Sequence, residues 1–515
     1  MSENSYLPSS WCWTTIGALA TFVRGVSYVK DEARTISITG HTLLLRANNI
    51  GDGLSFDDVY YVPDRFVSDE QLLRDGDVVI AMSSGSKSIV GKAAIAISVP
   101  RCSFGAFCGV VRPTQLVDSR YFGYYFQTKS YRQAISGASK GTGINNLKAE
   151  HVLNRPLPLP PRAEQARIAS KIDELFSSID EGERALERVR KLVERYRQSV
   201  LKAAVTGDLT REWREQHADQ LESGEALLAR ILEARRKAWE TAELAKMAMK
   251  GTRPANHEWK KKYQEPSCPD VSDLPELPIG WIWSSLGQLF KVTGGSTPSR
   301  KEASYWGGEI PWVSSGEVAF CRISETAERI TEDGFSNSSV RLHPVGTVLL
   351  AMIGEGKTRG QAAILEIPAC NNQNAASIGV SATPIPPEYV YNFLKFQYEK
   401  TRAIGQGGNQ PALNGEIVKA MPIPLPPLKE IVAICEQLEV QMEYLSQIEA
   451  SLQPQVALIA AQRQSILREA FAGRLVPQDI SDEPAAVLLE HIAAARSASP
   501  KLTATKQGRH KKVNA

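Results

Sequence analysis

Two stretches of this chain show the same apolar rhythm. In the first, Ile168, Ile172, Leu175, Ile179, Leu186, Val189, Val193, Tyr196 and Val200 step by four and three, skipping only Gly182. Steps of that kind put every apolar side chain on one stripe of a helix, the pattern of a heptad seam. In the second, Ile434, Leu438, Leu445, Ile448, Leu452, Ile459 and Ile466 repeat it 266 residues later, with Gln441, Gln455 and Gln462 in seam positions. Pro454 falls inside this helix, where it is expected to kink or locally break it. A proline-dense segment precedes each helix, at 156–161 and 422–427, and reads as a stiff extended connector. Before each connector lie about 155 residues of mixed pattern. Short apolar runs at 78–82, 93–99 and 348–352 read as strands, and the aromatic-rich 121–127 and 389–397 have helical spacing.

The chain is therefore written twice. Leu7, Pro8, Trp11 and Trp13 return as Leu277, Pro278, Trp281 and Trp283, a shift of 270 that also carries Gly17 to Gly287 and Gly25 to Gly295. The run from Leu72 to Met82 matches Leu342 to Met352 at that shift, and Arg197 to Leu209 matches Arg463 to Leu475 at 266. A weaker match sets Ala226 and Leu228 against Ala486 and Leu488. A unit of over 200 residues is too long for a solenoid and fits a duplicated two-domain module. Two apolar stripes in equivalent places of one chain bury each other best as a pseudo-two-fold, hence antiparallel, pair. From Ile168 to Leu201 such a helix spans about 50 Å at ~1.5 Å per residue. The expected fold class is α+β: two globular domains in pseudo-two-fold repeat, separated by two long antiparallel coiled-coil helices. The expected segments are a first domain at 1–160, a helix at 161–206, a charged helical extension and linker at 207–276, a second domain at 277–426, a helix at 427–475, and a C-terminal helix with a basic disordered tail at 476–515. The extension is read as helical and partner-contacting, with a solvated linker as the competing reading.

Composition adds little. Over 515 residues the formal charge is +3, so any basic surface must come from local arrangement. The seven cysteines form no Cys-x-x-Cys pair, which argues against a zinc ribbon or disulfide framework. The opening residues lack the pattern of a secretion signal, and no apolar run approaches the ~20 residues of a membrane span. The expectation is a cytoplasmic protein with no membrane contact.

The paired tryptophan segments, the Ala-Met strands with Gly-rich turns, the proline connectors before heptad helices, and the run from Gln464 to Val476 resemble the specificity subunits of type I restriction–modification systems. The resemblance covers nearly the whole chain. It implies that each globular domain is a target-recognition domain reading one half of a split, asymmetric double-stranded DNA target. It further implies that the helices act as a ruler and dock two methyltransferase subunits, with restriction subunits joining that core. S-adenosylmethionine, ATP and magnesium are then expected on the partner subunits, none on this chain, and neither a catalytic nor a metal-ligating residue is assigned.

Base edges are read by Arg, Lys, Asn and Gln, and phosphates by cations, hydroxyls and free amides. On that chemistry the candidate DNA contacts in the first domain are Arg46, Asn48 and Asn49, then Lys87 and Lys92, then Lys140, Asn145, Asn146 and Lys148. In the second they are Lys357, Arg359 and Gln361, the amides Asn372, Gln373 and Asn374, and Gln406, Asn409, Gln410 and Asn414. For any single one, a turn that needs Gly and Asn for its backbone angles is the competing reading. The four tryptophans are expected to pack rather than to stack on bases.

A chain that is itself an enzyme fits poorly. No Pro-Pro pair has the residues of a methyltransferase motif around it. The segment from Gly85 to Ala93 fails as a phosphate-binding loop in both spacing and last residue, and Glu355 to Lys357 lacks the partner acid of a nuclease signature. A protein-only coiled-coil adaptor, and the specificity subunit of a two-part type IIB system, remain as alternatives.

Overall fold

The computed structural model describes residues 7–498 except 52, 87, 139–144, 253, 255, 355 and 404–412. Contacts gather into two compact units, Met1–Glu187 with Gln453–Ala515 and Arg188–Leu452. Both boundaries fall inside the long helices Arg162–Thr206 and Leu428–Phe471, so each unit contains one globular domain and a part of each long helix.

Among the described residues, the first domain is built on a four-stranded antiparallel sheet in the order Ala20–Arg24, Cys108–Pro113, Val78–Ala81, Ala93–Ile95. A three-stranded sheet, Tyr60–Pro63, His41–Leu45, Cys102–Phe104, lies beside it. The strand Val78–Ala81 is buried along its whole length. Its alternate residues serve two cores: Val78 and Ile80 join the aromatic helix residues Tyr121, Phe122 and Tyr125, while Val79 and Ala81 join Leu45, Cys102 and Phe104. A period of two places successive side chains on opposite faces, and a strand covered on both faces reads as a continuous apolar run. The second domain repeats this with Val348–Ala351, whose Val348 and Leu350 face one core and Leu349 and Ala351 another. It carries an extra edge strand, Cys321–Ile323, parallel to Ala362–Leu365.

The proline connectors are strands. Pro156–Leu159 pairs antiparallel with Cys12–Thr15, and Pro422–Leu425 with Ile282–Ser285. Each forms a two-stranded ribbon, and a tyrosine from the neighbouring helix donates to a proline carbonyl: Tyr121 to Pro158 at 2.7 Å and Tyr389 to Pro424 at 2.8 Å. Both tyrosines are fully enclosed, which holds their hydroxyls well above the usual phenol range.

Within each unit the long helices run antiparallel. In the first, Ile172 and Leu467 share a core, and Arg463 reaches forward along the partner to Asp180 and Glu183. In the second, Leu201 and Ala204 pack with Ile434 and Leu438, while Arg197 grips Glu449 through two bonds of 3.1 and 2.8 Å. Two expectations change here. Helix Leu428–Phe471 continues through Pro454 without a break. The seam is also not buried throughout: Ile168, Ile172, Ile434 and Leu438 are enclosed, but Val189 and Tyr196 are exposed. A globular domain covers the helix ends, whereas one helix alone covers only part of its partner's surface.

Within the charged stretch after Gly207, one helix is anchored near its start, while most of the other described residues there are exposed or half-buried. Helix Gly224–Met249 buries Leu227 and Ile231 in the second unit's core, and Arg235 donates to the carbonyls of Gly287, Gln288 and Phe290 at the end of helix Leu286–Leu289. In the first unit, helix Ala485–Ala498 buries Leu488 and Ile492, and Arg496 donates to Gly17 and Ala20 around helix Ile16–Leu19. Leu227, Ile231 and Arg235 thus match Leu488, Ile492 and Arg496, which corrects the sequence alignment of these helices by one residue.

Candidate nucleic-acid interface

The scaffold under the candidate contacts is fixed by repeated anchors. Trp11 donates its indole N–H to the buried Glu164 at 2.9 Å, and Trp281 does the same to Glu430 at 2.9 Å. Gly473 lies against Pro8 and Gly207 against Pro278, where a Cβ on either glycine would come within 2.5 Å of the proline ring. Both glycines have positive φ, 71° and 79°, so no other residue type fits without strain. Trp13 breaks its expected role. It is 55% exposed, because Cys12–Thr15 alternates and turns it outward. Its counterpart Trp283 is half-covered and donates to the Pro275 carbonyl at 3.0 Å.

The expected contacts fall into three groups. The first surrounds the end of strand Val78–Ala81. Ser83–Ser84 pairs with Asn145–Asn146, the Ser83 hydroxyl donates to the Asn146 side chain, and the Met82 carbonyl accepts from the Leu147 amide at 2.8 Å. Two loops far apart in sequence therefore meet, with Asn146 and Lys148 exposed. In the second unit, Lys357 is exposed and its carbonyl accepts from the Tyr398 hydroxyl at 2.7 Å. Arg359 donates to the Arg402 carbonyl at 2.8 Å, and half-buried Gln361 uses its backbone carbonyl to hold Ala351.

A second group holds turns together. Asn49 is buried: its carboxamide accepts from the Arg46 amide at 2.9 Å and donates to the Asp57 carbonyl at 2.7 Å. Arg46 lies 4.0 Å over the Tyr60 ring and pairs with Asp58 at 2.7 Å, which Asn48 also bonds. Asn372 is buried and accepts from the Asn374 amide at 3.1 Å. Asn414 caps helix Gly415–Ala420 by accepting from Glu416 and Ile417, both at 3.0 Å. Asn48, Asn49, Asn372 and Asn414 thus each make a bond within or beside their own turn. Gln373 is exposed and bonded to Thr297, and Asn374 is half-buried beside it. Lys92 lines a cleft in the first unit together with Asp173, Asp180, Arg184 and Arg463, where both signs of charge mix.

A third group, Lys87, Lys140, Gln406, Asn409 and Gln410, lies outside the described residues, as do Glu355 of the nuclease-like triplet and the basic tail at 501–515. Sequence reasoning passed over Phe107, which is 66% exposed at the turn that holds Met82. A lone aromatic between Ala106 and Cys108 gives no motif to find it by.

Burial pushes the thiols of Cys102, Cys108 and Cys370 up to about 12, far from a reactive thiolate. The geometry offers polar turns and cations on a rigid, repeated frame.

The chain matches the family model for the type I restriction modification DNA specificity domain at residues 57–188 and 278–455. It is 30% identical over 508 residues to the EcoKI specificity subunit of Escherichia coli K12, covering 96% of this chain and 97% of that one. It is 27% identical over 512 residues to the StySPI specificity subunit of Salmonella potsdam, again covering 96% and 97%. Among solved structures, a chain from work on assembly and conformational transition of the type I R-M system superposes with a TM-score of 0.62 at 15% identity, covering 91% of this chain and 100% of that one. The HsdS subunit of Thermoanaerobacter tengcongensis gives 0.50 at 16% identity, covering 92% and 100%. These two likenesses speak to the fold. With both halves matched by the family model, the chain belongs to the type I restriction–modification DNA specificity family.

Proposed function

We propose that this chain is the specificity subunit of a type I restriction–modification complex. Each globular domain reads one half of a split, asymmetric double-stranded DNA sequence. The long helices dock two methyltransferase subunits, and restriction subunits join them. The observation that carries this reading is the division of labour inside the repeat. The anchors Trp11 and Trp281, Gly473 and Gly207, and Arg496 and Arg235 recur, while the polar turns above them differ in length and residue type. Two unlike half-sites require that combination, since phosphate contacts and scaffold fix position while base-edge contacts fix sequence.

In this reading the chain takes no chemical step. S-adenosylmethionine, ATP and magnesium belong to the partner subunits. The exposed apolar residues Leu192, Tyr196, Val440 and Tyr444 on the long helices support a protein-docking role. Among the described residues no helix is long and apolar enough to cross a membrane, and the cytoplasm, where the host DNA lies, is the compartment we assign.

A long-read methylome of the host with and without this chain tests the reading. One bipartite adenine-methylated motif is expected to vanish with the chain. Exchanging residues 1–155 for those of a relative is expected to change one half of that motif. A change in both halves, or in neither, would contradict it.

A further inference from the structure

The repeat supplies a register for comparing surface positions between the domains. The Met82 amide donates to the Phe107 carbonyl at 2.8 Å, and the Met352 amide donates to the Asn374 carbonyl at 2.8 Å. The strands that follow agree, with Ala81 opposite Cys108 and Ala351 opposite Ala375. The strands before agree as well: Val26 donates to the Phe104 carbonyl and Ser296 to the Asn371 carbonyl. Phe107 and Asn374 therefore occupy one structural position.

Their chemistry is opposite. Phe107 presents an aromatic ring 66% exposed, whereas Asn374 presents a carboxamide beside exposed Gln373. The adjoining position inverts too. Ser83, whose amide shares the Phe107 carbonyl, corresponds to Ile353, which is 50% exposed. Phe107 also sits where the candidate turns converge. Gly105 donates to the Leu45 carbonyl next to Arg46, and Ser83–Ser84 pairs with Asn145–Asn146 on the other side. An exposed apolar ring on a turn whose backbone bonds to Ser83, the hydroxyl partner of Asn146, matches the major-groove edge of thymine, where an apolar methyl adjoins a carbonyl acceptor. A carboxamide matches the donor–acceptor pair of adenine.

We propose that Phe107 is a specificity-determining residue of the first domain that contacts the 5-methyl group of a thymine, and that Asn374 at the same position of the second domain bonds an adenine edge. The inference rests on reading the chain as a DNA specificity subunit.

The test uses the full chain assembled with its methyltransferase subunits and a duplex carrying the motif found by methylome sequencing. Each thymine of the first half-site, on either strand, is replaced singly by deoxyuridine, which removes the methyl group and leaves pairing intact. One replacement is expected to weaken binding about fourfold, the worth of one buried methyl. Phe107→Ala is expected to bind the thymine duplex more weakly and to be indifferent to that replacement. Should Phe107→Ala not assemble, Phe107→Gln serves in its place, and the deoxyuridine scan of the unaltered chain decides regardless. Asn374→Ala is expected to relax discrimination at one A·T pair of the second half-site and to leave the first unchanged. Indifference of the unaltered complex to every deoxyuridine overturns the proposal, as does a variant at Phe107 that keeps the original sensitivity. If the complex still prefers its motif over a scrambled duplex in those cases, only the role of Phe107 is lost. If it shows no preference at all, the specificity reading itself falls.

Discussion

The two domains keep the same outer anchors and differ in how they stabilise their interiors. In the first, Asp77 is enclosed and held by Arg112 through bonds of 2.8 and 2.7 Å, while Arg112 also donates to the Leu72 carbonyl at 2.9 Å. In the second, strand register puts Thr347 and Gly379 in those places, and the Thr347 hydroxyl donates to the Pro344 carbonyl at 2.8 Å. The anchors that seat each domain on the long helices survive duplication. Those include Tyr121 and Tyr389 on proline carbonyls and the Trp–Glu pairs. The comparison teaches that the shared helices constrain the base of each domain, whereas its interior and outer turns are free to diverge.

The largest test of this contrast breaks the ion pair. Arg112→Met leaves the Asp77 charge buried without its partner and is expected to destabilise the first unit by about 3–5 kcal/mol. Thr347→Val removes one neutral bond and is expected to cost about 1 kcal/mol in the second. Amide hydrogen exchange, which reports each unit separately, measures both. Adding Asp77→Thr to Arg112→Met is expected to recover most of the loss, and equal losses in the two units would erase the distinction.

A smaller effect compares the anchors. Glu164 accepts from Trp11 and Gln478, whereas Glu430 accepts from Trp281, Thr210 and Arg214. Replacing either tryptophan by Phe removes one donor from a buried carboxylate, at about 1–3 kcal/mol. Trp11→Phe is expected to cost more, because fewer donors remain. Equal costs, or the reverse order, would show that the number of remaining donors does not set the strength of the anchor.

The smallest effect is a pH dependence. Burial raises the Glu164 carboxyl above its ordinary value of 4.5, and bonds from Trp11 and Gln478 pull it partly back. Folding therefore favours the protonated form. The stability that protonation lends is complete below the ordinary value and is lost as pH climbs through the raised one. The unfolding free energy obtained from exchange across that window is expected to fall with rising pH for the first unit, and that slope is expected to flatten in Glu164→Gln. An unchanged slope would place its origin elsewhere.

Much of the fold was legible because its signals are periodic. Heptad steps, paired tryptophans and two proline connectors each have a spacing that pairwise comparison finds. The site was less legible. Asn49, Asn372 and Asn414 have the chemistry of base readers, yet their carboxamides are bonded to nearby backbone. Composition cannot separate those uses, because one amide serves a turn or a base edge equally well. Phe107 went unnoticed for the converse reason, since an isolated aromatic reads as core until its exposure is known.

The amino-acid sequence by itself determined the duplication, the α+β halves and the two helices, all set by local periodicity and by residues such as Gly207 and Gly473 whose backbone angles no other residue adopts readily. Only the tertiary structure decided that the connectors pair as strands and that helix Gly224–Met249 docks through Arg235. It also decided that Val189 and Tyr196 stay exposed on an apolar seam, and that Phe107 and Asn374 share one position. Each of those depends on which distant segment supplies a hydrogen-bond partner or a covering surface, and a linear pattern carries no record of that.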